Sequence, residues 1–142
     1  MILCDVNVIL HALMEQSAHH AVCKRELERA RQRPREMAVS DLVLSAVLRI
    51  ATNPRIFQPA PDPEEVFPFL EALRAPAQVR NIGPGPKHWT LFRDLVRVAG
   101  VRGSDTTDAY LAALAIEHDC EWWTTDGDFG RFPGLRWRNL LA

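Results

Sequence analysis

The chain has 142 residues, 47% of them hydrophobic and 25% charged, which describes an ordinary globular protein and excludes a disordered one. Seventeen Lys and Arg against eighteen Asp and Glu leave a formal charge of -1, so bulk charge does not drive binding to nucleic acid, although a local basic patch stays open. No apolar run approaches the ~20 residues of a membrane helix. The start, MILCDVNVIL, lacks the basic flank and cleavage site of a secretory leader. Cys4, Cys23 and Cys120 form an odd set without CxxC spacing, which points to reduced thiols in a cytoplasm rather than a disulfide framework.

MILCD opens the chain as an apolar run without polar alternation, the pattern of a strand covered on both faces, and VNVILHAL follows as a short helix. Residues 17–33 carry a helical stripe through Ala21, Val22, Leu27 and Ala30, closed by Pro34. EMAVS (36–40) is a second strand. DLVLSAVLRIAT (41–52) is a helix that Asp41 can cap and Asn53-Pro54 ends. A proline-rich loop enters a helix at about 62–74. QVRNIG (78–83) is a candidate third strand, and Trp89, Phe92, Leu95 and Val96 mark another helix. A longer helix spans about 106–118, CEWWTTD reads as a strand ending in a carboxylate, and GLRW is a candidate edge strand. Strands alternating with helices predict an α/β fold with a mainly parallel sheet, in one domain over 1–142.

Ligands of a parallel sheet gather beyond the carboxyl ends of its strands. Asp5 ends the first strand, Asp126 follows the EWWTT strand, and Asp108 lies in the first turn of a helix, where the dipole favours an anion. If those strands are neighbours, three carboxylates meet. Each pair of charges 4 Å apart repels by about 4 kcal/mol at an effective dielectric near 20, so protons or a cation must relieve them. Oxygen donors without thiolates or paired imidazoles suit Mg²⁺ or Mn²⁺ rather than Zn²⁺. Each residue also has a local explanation. Asp5 can cap the following helix, Asp105 and Asp108 imitate a capping box, and Asp126-Gly127 is a turn dipeptide. Asn7 and Asp128 stand near enough to join as orienting or water-bridged groups.

Basic residues are lopsided, with fifteen Arg and only Lys24 and Lys87. Residues 24–36 hold six basic and three acidic side chains, the composition of a solvated helix face. Arg49, Arg55 and Arg131 are the better candidates for phosphate contacts. Trp122 and Trp123 alternate across a strand, so at least one ring belongs to the core. His11, His19, His20, His88 and His118 show no metal-ligand spacing.

Asp5-Val-Asn7, then Asp108-Ala-Tyr-Leu-Ala-Ala-Leu-Ala, then Thr124-Thr-Asp126-Gly-Asp128-Phe129 resembles the PIN domain, and specifically the VapC-type toxins of bacterial toxin–antitoxin pairs. The likeness spans essentially the whole chain, including SDLVLSAVLRIATNPRIF and FGRFPGLRW. It implies a three-layer α/β/α domain, Mg²⁺-dependent endoribonuclease activity on RNA, a cognate antitoxin that occludes the site, and homodimers. Many such domains carry a Glu about six residues after the Ser that ends the second strand, and that position is Ala46. Asp41, beyond the same strand, is the candidate substitute. Two other readings remain at this stage. A domain that binds antitoxin or RNA without catalysis draws on Ala46. An aspartyl-phosphate phosphatase or receiver draws on Asp5-x-Asn7, but neither lysine follows a predicted strand end as that chemistry wants.

Overall fold

The structure is a computed structural model that describes residues 1–33 and 36–142. Five parallel strands form one sheet: β1 (Ile2–Cys4), β2 (Met37–Val39), β3 (Arg80–Asn81), β4 (Glu121–Thr124) and β5 (Trp137–Asn139), in the order β3-β2-β1-β4-β5. Among the described residues six α-helices connect them: α1 (Val6–Leu13) and α2 (His20–Gln32) before β2, α3 (Asp41–Ala51) and α4 (Pro63–Arg74) before β3, and α5 (His88–Ala99) and α6 (Thr106–Glu117) before β4.

The strand order dictates the layers. Two connections step outward from β1 to β3, and the third steps back across the sheet to β4. Right-handed crossovers therefore put α1 to α4 on one face and α5 with α6 on the other. The packing agrees, since α1 lies against α2 and α3 while α5 lies against α6. The expected three-layer α/β/α architecture is the one found.

Both faces of the sheet are covered, and the inner strands are correspondingly apolar. Leu3, Cys4, Ala38, Val39, Trp122 and Trp123 are all buried. Both tryptophan rings are thus core, and neither is available for stacking on a base. On α6, Ala109, Leu111, Ala112, Ala113, Leu114 and Ala115 are buried almost all round, because small side chains let this helix wedge between α5 and the sheet. Gly100 ends α5 at φ 66°, a left-handed conformation that a Cβ would strain.

Several expected boundaries move. Asp41 is the first residue of α3 and Ser40 holds the N-cap position without a side-chain capping bond, so Asp41 does not cap the helix as expected. The last strand begins at Trp137, where the GLRW segment ends, and β3 is only two residues long. The predicted closure of α2 by Pro34 lies outside the described residues. Cys4, Cys23 and Cys120 are buried free thiols. Among the described residues no helix is long and apolar enough to cross a membrane.

Candidate functional site

The chain leaves β1 toward one face of the sheet and β4 toward its last strand, so the two loops diverge and leave a crevice between them. Cys4 pairs in register with Trp123, which puts Asp5 opposite the end of β4, and the Asp5 amide donates to the Trp123 carbonyl at 2.8 Å.

Asp5 is 6% exposed, an unusual position for a carboxylate. Its Oδ1 accepts from the Val6 amide at 2.7 Å, which caps α1. Its Oδ2 accepts from Thr124 Oγ1 at 2.7 Å and from Asn7 Nδ2 at 3.2 Å. Burial nevertheless dominates and raises its pKa to about 6. The Thr124 and Val6 hydrogen bonds pull the other way, and the charges of Asp108 and Asp126 push it up further.

Thr124 and Asn7 hold the crevice together. Thr124 is fully buried; its hydroxyl donates to Asp5 and accepts from the Asp126 amide at 3.0 Å. Asn7 Oδ1 accepts from the Thr125 amide at 3.1 Å. The first and fourth strands are therefore stitched by side chains just where their main chains part. Thr124 carries more of this than its place in the Thr124-Thr125-Asp126 motif suggests. A β-branched hydroxyl at a strand end followed by an aspartate was the available signal.

Asp108 projects from the first turn of α6 and is half-buried. The capping-box spacing with Asp105 is not used as one, because no side chain caps α6. Instead Arg131, at the end of a 3-10 turn over Gly127–Arg131, donates from Nη2 to Asp108 Oδ2 at 2.8 Å. Burial raises the Asp108 pKa, Arg131 lowers it, and Asp126, Asp105 and Asp128 raise it again. Asp126 caps the same 3-10 turn, its Oδ1 accepting from the Asp128 amide at 2.9 Å. Asp126 thus acts electrostatically on both Asp5 and Asp108, and the three expected carboxylates share one end of the sheet.

The local explanations hold alongside this gathering. Asp5 caps a helix and Asp126 caps a turn. A carboxylate has about four lone-pair sites, however, and the bonds above consume only some of them. Among the described residues no three His, Cys, Asp or Glu side chains stand close enough to enclose a metal as they are. The chemistry of the donors still fits a hard divalent cation: carboxylates, one amide and one hydroxyl supply only oxygen acceptors. Cys4, next to Asp5, is held as a neutral thiol because burial, then the Asp5 charge, drives its pKa far up.

Other expected participants lie elsewhere. Asp41 forms a two-pronged pair with Arg74, at 2.7 and 3.1 Å, and its charge is not among those acting on Asp5 or Asp108. In this arrangement its carboxylate is engaged by Arg74 and not by the groups around Asp5. Arg49 and Arg55 are exposed, and among the described residues neither joins an ion pair; Arg49 sits in the last turn of α3, about 12 Å along the axis from its start. Of the three arginines, Arg131 is the one brought to the carboxylates. The histidines are structural: His11 and His19 meet edge-on at 5.1 Å, and His88 Nε2 bonds the Tyr110 carbonyl at 2.9 Å.

With this geometry in hand, the PIN domain pattern matches residues 2–135. Ribonuclease VapC43 of Mycobacterium tuberculosis is 35% identical over 141 residues, covering 99% of this chain and 96% of that protein. The fold is similar to that of M. tuberculosis VapC20, described as a sarcin–ricin loop cleaving toxin (TM-score 0.68, 20% identity, 96% of this chain and 99% of the other). It is also similar to a chain of a toxin–antitoxin complex from Klebsiella pneumoniae (TM-score 0.62, 20% identity, 95% of each chain). Family pattern, full-length identity and the carboxylates at the crevice agree: the chain belongs to the PIN-domain family and, within it, to the VapC ribonucleases.

Proposed function

We propose that this chain is the toxin of a toxin–antitoxin pair, an endoribonuclease that hydrolyses RNA phosphodiester bonds with Asp5, Asp108 and Asp126. The observation that carries the reading is the buried Asp5 at the mouth of the crevice, its pKa raised by burial and by the charges of Asp108 and Asp126. Carboxylates crowded in this way would repel RNA, so a cation must make the site productive. Mg²⁺, or Mn²⁺ in its place, held by Asp5, Asp108 and Asp126, would supply Lewis-acid neutralisation of the phosphate and activation of water.

The chain's own groups do the rest. Thr124 and Asn7 fix the rotamer of Asp5, so its free lone pairs face one direction. The Asp128 amide fixes one oxygen of Asp126, and the exposed Asp128 carboxylate would orient water. Hydrolysis by an activated water needs no covalent intermediate.

A cognate antitoxin and a second copy of the chain are the protein partners this reading takes, in keeping with the toxin–antitoxin complex among its structural neighbours. Three buried free thiols favour a cytoplasmic setting. The test is direct. Purified protein freed of antitoxin should cut single-stranded RNA in millimolar Mg²⁺, stop on addition of EDTA, and resume when Mg²⁺ is restored. Cleavage indifferent to EDTA would overturn the metal role. RNA binding without cutting under any divalent ion would favour a domain that binds without catalysis.

A further inference from the structure

Among the described residues, Arg131 is the single cation paired with a carboxylate of the crevice. Its guanidinium bridges Asp108 Oδ2 at 2.8 Å and Asp105 Oδ2 at 3.8 Å. It rests over the Phe132 ring, 5.1 Å from the centroid, and its Nε is buried without a hydrogen-bond partner. The side chain is 28% exposed, so it lies at the rim with a path to solvent.

Arg131 therefore supplies part of the positive charge that the crowded carboxylates require. A divalent cation entering the crevice would seek the same Asp108 charge, and two cations beside one carboxylate repel each other. The guanidinium also has a donor left over in its present position. Its planar fork matches two phosphate oxygens better than the single Asp108 oxygen it now holds.

We propose that Arg131 is an exchangeable counter-ion. It holds Asp108 while no metal is bound, yields that charge to the incoming divalent cation, and turns its fork to a backbone phosphate of the RNA. The Phe132 ring beneath it keeps the guanidinium at the rim during the exchange. The proposal rests on the nuclease reading above and makes Arg131 a positioning residue that couples metal entry to substrate binding.

The test uses the full chain with Arg131→Gln and Arg131→Lys, followed by thermal melting, Mn²⁺ titration without RNA, and steady-state RNA cleavage at saturating Mn²⁺. Arg131→Gln should bind Mn²⁺ about tenfold more tightly, because a competing like charge is gone. Its KM for RNA should rise by about tenfold. Arg131→Lys should keep the wild-type Mn²⁺ affinity and still show a raised KM, since it retains charge without the fork. Weaker Mn²⁺ binding by Arg131→Gln would mean that Arg131 orients Asp108 for the metal, which overturns the exchange. Unchanged Mn²⁺ affinity and KM would reduce the pair to a structural contact and overturn it equally. If Arg131→Gln fails to fold, an unchanged KM in Arg131→Lys does the same. Should the wild type cut no RNA at all, the nuclease reading fails, while the Mn²⁺ arm still decides whether Arg131 competes with metal.

Discussion

Asp108→Asn is expected to lower RNA cleavage by about a thousandfold or more, equivalent to ~4 kcal/mol of transition-state stabilisation, while the protein melts close to the wild-type temperature. The amide keeps the shape of the carboxylate and can still accept from Arg131, but it carries no charge for a cation. Asp108 contributes no cap to α6 and burial works against its charge, so the structural loss is limited to a weaker bond with Arg131. Asp5→Asn should silence cleavage to a similar degree, with a distinct signature in stability. The substitution removes a desolvated charge while leaving an oxygen to accept from the Val6 amide. In metal-free buffer near neutral pH, Asp5→Asn should melt at or above the wild type. Cleavage retained by Asp108→Asn, measured by single-turnover assay beside a melting curve, would end the assignment of these carboxylates.

The second large effect is on stability against pH. The Asp5 pKa is about 6 in the folded chain against an ordinary value of 3.8. Between those values the folded state holds a proton that the unfolded state has released. Stability must therefore fall as pH rises through this window and level off above about 6. The difference corresponds to about 3 kcal/mol, an order-of-magnitude figure for a buried group. Asp108, also raised by burial, adds in the same direction. Denaturant unfolding in EDTA at pH 4.5 and 7.5, on wild type and Asp5→Asn, isolates the contribution. The wild type should lose stability across the window relative to the variant, and parallel profiles would contradict the buried-carboxylate account. A divalent cation at a hundred times its Kd should return about 2.7 kcal/mol to the wild type at the higher pH, and little to Asp5→Asn.

Local signals made the positions of the three candidate carboxylates legible in the sequence. Asp5 directly follows the first strand, Asp126 lies two residues beyond the fourth, and Asp108 lies in the first turn of a helix, so their positions depend on short-range patterns and on a single topological fact, that β1 and β4 are neighbours. What escaped was set by contacts between distant segments. Asp41 looks well placed beyond β2, but Arg74, on the next helix, claims both its oxygens. Arg131 could be named as a phosphate contact, yet its pairing with Asp108 depends on how the 3-10 turn after Asp126 folds back onto α6. Thr124 sits inside a recognisable motif, but its hydroxyl shows its value only when Asp5 and the Asp126 amide converge on it. Likewise, the edge strands β3 and β5 each have a single neighbour and short pairing, so their apolar patterning is weak and their bounds shift from those expected. His11 and His19 meet because the turn between α1 and α2 folds the start of the second helix back onto the end of the first.

The proposed function requires the aspartates beyond the first and fourth strands to share a divalent cation with the one from α6. Anomalous scattering from crystals grown with Mn²⁺ tests it most directly. The expected result is a peak between Asp5 and Asp108, with Asp126 reaching the ion directly or through water. A peak elsewhere, or no peak while all three carboxylates keep only their present hydrogen bonds, would contradict it.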